Sequence, residues 1–440
     1  MACLFFCPLL RSPKGEGKGE TDLEAGAVPT CPRGEVHYFG WRRIRAMRSV
    51  LRWAWVLLLG MVACTSVTRP PRLIVLWHAL DPGRGIALAR LTEAYMAEHP
   101  DSAIYIEAFP GVRELLDRLQ QPSERGPDLV LIPTEVVSEL WGSGRLIPLR
   151  RWLEDPQHGL SAEEREDLLA PITPGSIPFL RDGLLMYADE DRLMESGFEQ
   201  PPADWEGIRQ VCLRGALDLN GDGRPDTAGW IAPRDGHVLR GWLAGRSLAE
   251  RRGWVEEVAF MLRVGCGRLV EPQMALRAFL EGETVILFGP TRWLSTLDRE
   301  AEAGRLKFRL ALAPLPGPSG QGGTILPGWG WDLAMTARDP DQQAAAWSFL
   351  RWAVGVEAQT RWAQEARSIP VRRAAALRLR QLAGAEARQS VLMSWVLQGY
   401  FEEPSADRSA LSRLDETLNL LEGGADISAI LERLQGAPHP

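Results

Sequence analysis

Residues 218–226, Asp-Leu-Asn-Gly-Asp-Gly-Arg-Pro-Asp, carry side-chain oxygens at Asp218, Asn220, Asp222 and Asp226. Those are positions 1, 3, 5 and 9 of a calcium loop, with Gly223 at position 6, where the backbone must turn sharply. Position 12 is Gly229, so the bidentate carboxylate that completes such a site is absent. The spacing reads first as a polar Asx-type turn, with weak calcium binding as the alternative. Neither G-x-S-x-G nor H-E-x-x-H occurs, and the six histidines are scattered, so no nucleophilic or zinc-hydrolase signature is present. Carboxylates remain in sufficient number to form an acid–base pair of the glycosidase kind.

The elements that must position such groups show in the apolar patterning. Leu73–Trp77 reads as a buried strand, followed by a loop with Asp81, Pro82, Gly83 and Gly85. A helix is expected over Ile86–Glu98, a strand over Ala103–Ala108, a helix over Val112–Leu119 and a strand over Asp128–Ile132, ended by Pro133. Strands alternating with helices predict an α/β fold with a parallel, doubly wound sheet. Such sheets bind ligands beyond the carboxyl ends of their strands. His78 and Asp81 after the first strand, and Glu135 after the third, would then offer hydrogen-bonding groups to one crevice. Farther on, a strand is expected over Gly183–Tyr187, a helix opened by Asp204 or Trp205, helices over Trp254–Val264 and Ala275–Glu281, and a strand over Glu283–Phe288. After Leu310–Pro316 a Gly-rich loop runs to Gly330. The tail reads as helical, with Asp341–Val354, Val356–Arg367 and three weaker helices to Gln435. Trp347 and Trp352 lie on a patterned helix and are expected in the core.

Length and charge narrow the class. At 440 residues the chain is long enough for two or three hydrophobic cores. Its net charge of −7 and the absence of a long basic run beyond the N-terminal region argue against a nucleic-acid partner. Tryptophan is in excess, 17 against 12 Phe and 5 Tyr, and a flat ring with one N–H donor suits stacking as well as core filling.

The N-terminal region speaks to compartment. Arg48 and Arg52, the apolar run Trp53–Ala63 and then Cys64 follow the basic, apolar, small-residue order of an export signal. The apolar stretch is too short to span a bilayer, which takes about 20 residues. Met61-Val62-Ala63-Cys64 resembles the lipobox of bacterial lipoproteins, in which the cysteine is acylated and becomes the new N-terminus; Met61 departs from the usual Leu. Residues 47–63 are therefore expected to be a lipoprotein signal peptide and residues 64–71 a tether. Residues 1–46 have no sustained period and precede Met47, which suggests that translation starts there. From Cys64 onward the chain has nine fewer Lys/Arg and five fewer Asp/Glu, for a net charge of −11. Beyond Cys64 only Cys212 and Cys266 remain, so at most one internal disulfide is open to the body.

Taken in order, several segments resemble family 1 of the ABC-transporter extracellular solute-binding proteins, the maltose-binding-protein-like group. Pro127-Asp128-Leu129-Val130 resembles the family's Pro-Asp-Val strand, and Gly144–Leu149 its G-x-L-x-P-L turn. Leu185-Met186-Tyr187 followed by Gly197, Pro201-Pro202 and Trp205 resembles its Y-Y-N … G … P-P-x-T-W stretch, with Ala188 in place of Asn and Asp204 in place of Thr. Phe279–Glu283 leading to Gly289 and Trp293, Pro314–Gly317 leading to Gly328-Trp329-Gly330, Ala344–Leu350, and Ile369–Arg372 resemble the remaining family blocks.

The resemblance implies a two-lobed periplasmic-binding-protein type II-like fold with a hinge and a ligand cleft between the lobes. It would place lobe one at 72–183 plus 315–371 and lobe two at 184–314 plus 372–440. The implied function is capture of a sugar or oligosaccharide and delivery to ABC permease subunits, by a monomer lipid-anchored to the cell membrane on its extracytoplasmic face, without cofactor or catalysis. A sugar pairs hydroxyls with an apolar C–H face, so its site needs indole plates beside carboxylate or amide groups. Trp77, Trp293, Trp329 and Trp331 stand where the family places cleft loops, and with His78, Asp81, Glu135 and Arg292 they form the expected ligand-binding set. A polyol or glycerol phosphoester would suit the same chemistry. Two other readings are a secreted carbohydrate-active hydrolase and a ligand-sensing partner of a membrane receptor.

Overall fold

The structure, a computed structural model, describes residues 71–121, 126–243, 248–317, 326–384, 387–399, 401–402 and 408–435. The expected signal peptide, the expected acylation site Cys64 and all but the last residue of the expected tether lie outside the described residues. No helix among the described residues is long and apolar enough to cross a membrane.

Among the described residues ten strands form one curled sheet in the order β2-β1-β3-β9-β4-β7-β5-β6, with β10 on β9 and β8 on β4. They are β1 (Arg72–His78), β2 (Ser102–Ala108), β3 (Leu129–Pro133), β4 (Ser176–Asp189), β5 (Ala228–Pro233), β6 (Gly267–Val270), β7 (Thr284–Pro290), β8 (Leu310–Ala313), β9 (Leu326–Met335) and β10 (Phe401–Glu402). The expected parallel sheet exists as two parallel patches, β2-β1-β3 and β7-β5-β6. Between them β9 and β4 run antiparallel to each other, to β3 and to β7, so the sheet is mixed.

Strand β4 joins the two patches. Its residues 176–183 pair with β9, and its residues 184–189 pair with β7 and β8. Alternation along the strands gives each patch a core on each face. Around the first patch, Ile74, Leu76, Leu129 and Leu131 enter one core, while Trp77, Val130 and Ile132 enter the opposite one. Around the second, Leu184, Met186 and Ala188 face one core, and Leu185 and Tyr187 the other. The Pro340–Ala353 helix packs with the first patch, burying Trp347, against which Trp152 stacks. The Arg408–Glu422 and Ile427–Gln435 helices pack with the second.

Local chemistry explains the helix starts. Asp81 caps the Pro82–Glu98 helix, its Oδ1 accepting from Arg84 N–H at 3.1 Å, with proline in the first turn, where no N–H is required. Asp204 caps the Trp205–Gly215 helix in the same way. Cys212 on that helix is bonded to Cys266 just before β6, tying helix to sheet inside the second patch.

Three expectations are corrected. Pro82, Gly83 and Gly85, expected in a loop, form the first turn of the Pro82–Glu98 helix, which the Asp81 cap starts four residues earlier than Ile86. The Gly-rich segment ending at Gly330 is not all loop, because Leu326–Met335 is a strand. Its glycines serve close approach: a Cβ at Gly330 would stand 2.2 Å from Arg181, and one at Gly328 2.2 Å from Phe401. Among the described residues the tail beyond Arg367 holds four helices, Arg373–Ala383, Arg388–Leu397, Arg408–Glu422 and Ile427–Gln435, where three were expected.

Candidate functional site

Where β4 and β9 cross between the patches, the strand carries Arg181 and Asp182 inside an otherwise apolar run. Both are buried, and both are paired, as charges removed from water must be. Arg181 donates to Asp332 at 3.1 Å and to the carbonyls of Leu180 and Trp331. Asp332 also accepts from Ser176 and Thr134. On the other face, Asp182 meets Arg84 of the Pro82–Glu98 helix at 2.7 Å and Arg292 after β7 at 2.8 Å, and accepts from Thr291 Oγ1 at 2.8 Å. Burial alone would raise the Asp182 carboxyl, but the two guanidinium charges outweigh it and hold the group down at about 2.

A second cluster lies beyond the carboxyl end of β5. Asp235 accepts from the backbone N–H of His237 at 2.8 Å and stands 2.9 Å from His237 Nδ1. Burial opposes ionisation of Asp235, yet the hydrogen bond from His237 and its charge pull the carboxyl to about 2. The His237 ring sits 4.8 Å from that of Trp329, and its Nε2 is 3.9 Å from Glu135 Oε1. Trp329 is the register partner of Asp182 in the β4–β9 ladder, so the indole links the two clusters.

The structure thus brings Asp81, Glu135, Arg292 and Trp329 toward one region. Asp81, half exposed, lies 3.8 Å from Arg84, and its charge reaches Arg292. Arg292 keeps a third of its side chain exposed, and the acids around it, Asp182 foremost, raise its pKa against the effect of burial. Trp331, two residues from Trp329 on β9, packs toward the first-patch core and pairs with Pro133. Trp293 packs toward the second-patch core, its ring filling the space beside Gly289.

Trp77 and His78 are placed differently, each only 3% exposed. Trp77 packs on Phe109 with ring centroids 5.0 Å apart and Arg118 over its face, so its ring is occupied by packing. His78 Nδ1 accepts from Leu80 N–H at 3.1 Å, and burial pushes its pKa down against the pull of Asp81. His78 and Asp81 line an open, mostly apolar groove of about 820 Å³ that also includes Ile86 and Phe109.

The residues 218–226 form a turn in which the acids satisfy backbone donors. Asp226 accepts from Leu219 and Asn220, Asp218 from Gly221 and Gly223, and Asp222 from Arg224. Among the described residues no cluster of three metal-ligating side chains exists.

Sequence reading missed Arg84, Asp182, Asp235 and His237. Two signals were available: a charged pair interrupting an apolar strand, and polar residues just past the carboxyl end of β5, the rule that selected His78 and Glu135.

Comparison with known proteins agrees with this architecture. A cyclic alpha-maltosyl-1,6-maltose binding protein from Arthrobacter globiformis superposes with a TM-score of 0.65 at 16% identity, over 82% of this chain and 97% of that one. UgpB from Mycobacterium tuberculosis, solved in complex with glycerophosphocholine, gives 0.64 at 16% identity over 83% and 97%. These likenesses establish the two-lobed fold. A maltotriose-binding protein of Pyrococcus abyssi is 24% identical over 139 residues, 31% of this chain, and the match spans only 29% of that relative's length. The model of the bacterial extracellular solute-binding protein family matches residues 91–387, more than half of the chain, and the protein belongs to that family.

Proposed function

We propose that this protein captures a sugar or oligosaccharide between its two lobes and hands it unaltered to ABC transporter permease subunits. The observation that carries this reading is the convergence, at the β4–β9 crossing, of Glu135 and Arg84 from one patch, His237 and Arg292 from the other, and the indole of Trp329. An aromatic plate beside fixed donors and acceptors is what a pyranose requires. Trp329 and Trp331 would supply plates, Asp81, Glu135 and Arg292 the hydroxyl contacts, and Trp293 one wall. The buried Trp77 and His78 would support the lobe. The maltotriose-binding relative favours an oligosaccharide, and the glycerophosphocholine complex keeps a glycerol phosphoester in view.

The lobes would comprise residues 72–183 plus 315–371 and 184–314 plus 372–440, with β4 and β9 as hinge strands. Cys64 would carry the acyl anchor, leaving a monomer on the extracytoplasmic face. Closure would be a population shift driven by solute contacts to both lobes.

A thermal-shift screen against oligosaccharides, polyols and phosphoesters tests the reading, since a solute at 100 times its dissociation constant adds about 2.7 kcal/mol of stability. Chromatography of the recovered solute must show it intact; a cleaved product would instead support a hydrolase. Incorporation of labelled fatty acid into the wild type but not Cys64→Ser tests the anchor.

A further inference from the structure

Glu135 and His237 come from elements with separate cores. Glu135 opens the Thr134–Gly142 helix, whose Val136, Val137 and Leu140 pack on the first patch. His237 lies on the Gly236–Leu243 helix, whose Val238, Leu239 and Trp242 pack on the second. Their facing atoms are 3.9 Å apart, with side chains only 16% and 18% exposed. His237 Nε2 is shielded from solvent and has no hydrogen-bond partner among the described residues.

A neutral imidazole carries a single N–H. With Nδ1 2.9 Å from the Asp235 carboxylate, that hydrogen belongs on Nδ1, which leaves the Nε2 lone pair facing the Glu135 carboxylate. Two acceptors then oppose each other. Protonation places a hydrogen on Nε2 and turns both contacts attractive. Acidic groups stand around the ring. Asp235 is held ionised, Asp415 approaches through the Gly236 N–H at 2.6 Å, and Glu135 faces Nε2. Arg292 is the opposing charge, and it acts on Asp235.

We propose that His237 is a proton-operated latch between the lobes: as imidazolium it grips Glu135 and favours the closed cleft, and as neutral imidazole it lets go. The inference rests on the chain being a two-lobed trap but not on which solute it takes. A proton on Nε2 makes the contact attractive only where Glu135 faces it, so acid favours closure.

The test is small-angle X-ray scattering of the solute-free protein between about pH 8 and pH 5, the range in which histidine changes charge. The wild type should shrink reversibly in radius of gyration as the pH falls. His237→Gln and Glu135→Gln should each flatten that response, with circular dichroism at every pH showing the fold intact. An invariant wild type, or an undiminished response in His237→Gln, would overturn the latch. Solute titration of the same samples separates the two ideas: a chain that binds no solute yet contracts with acid keeps the latch and loses the transport reading, and one that binds solute without contracting does the reverse.

Discussion

Asp182 lies directly opposite Trp329 in the antiparallel ladder of β4 and β9, and its buried carboxylate is gripped by Arg84 and Arg292 from the two sides of the crossing. A carboxylate flanked by two cations neutralises charge that would otherwise be stranded where the lobes meet. It also leaves the partly exposed Arg292 aimed by an anion that cannot move.

Asp182→Asn removes the anion but leaves both guanidinium groups in place. Breaking a buried pair in this way costs about 3–5 kcal/mol, and urea unfolding of the variant should show a loss of that order.

Acid should destabilise the protein for the same reason. The folded-state carboxyls of Asp182 and Asp235 sit at about 2, below their ordinary 3.8, so their contribution is present above about pH 4 and lost as the pH falls through 2. Each contributes on the order of 2 kcal/mol. Unfolding monitored from pH 5 to pH 2 should show a steep loss that is shallower in Asp182→Asn.

The Cys212–Cys266 bond closes a chain separation of 54 residues inside one patch. Replacing both cysteines with alanine should cost about 2–5 kcal/mol, read as a lower urea midpoint, while a solute-saturated protein keeps its binding stoichiometry.

Gly330→Ala should destabilise by about 1–3 kcal/mol, because its Cβ meets an arginine held by Asp332 and two carbonyls that has nowhere to retreat. Thermal unfolding of the variant measures the loss.

Trp329→Ala should weaken oligosaccharide binding at least about tenfold by calorimetry, the loss expected of one stacking contact. Trp77→Phe, which alters a ring occupied by packing on Phe109, should leave the affinity unchanged while lowering stability.

Much of the scaffold is legible without coordinates. The apolar runs of β1 and β3, the helix start at Asp204, and the single disulfide open to the body follow from local patterning and from residue supply, whereas the first helix begins at Pro82 and takes in residues expected as a loop. These are short-range matters: which side chain alternates, and which N–H lacks a partner. The pairings that make the candidate site are of another kind. Glu135 meets His237, and Arg84 meets Asp182, across about a hundred residues of chain, because β9 runs antiparallel between β3 and β4 and draws the patches together. The same register turned a glycine-rich stretch into a strand, since Gly328 and Gly330 make room for Phe401 and Arg181, side chains that no local pattern brings near. Local periodicity determined which residues are buried in the strands and helices. Only the order and register of the strands decided which buried charges face one another, because electrostatic pairing depends on distance in space and not along the chain.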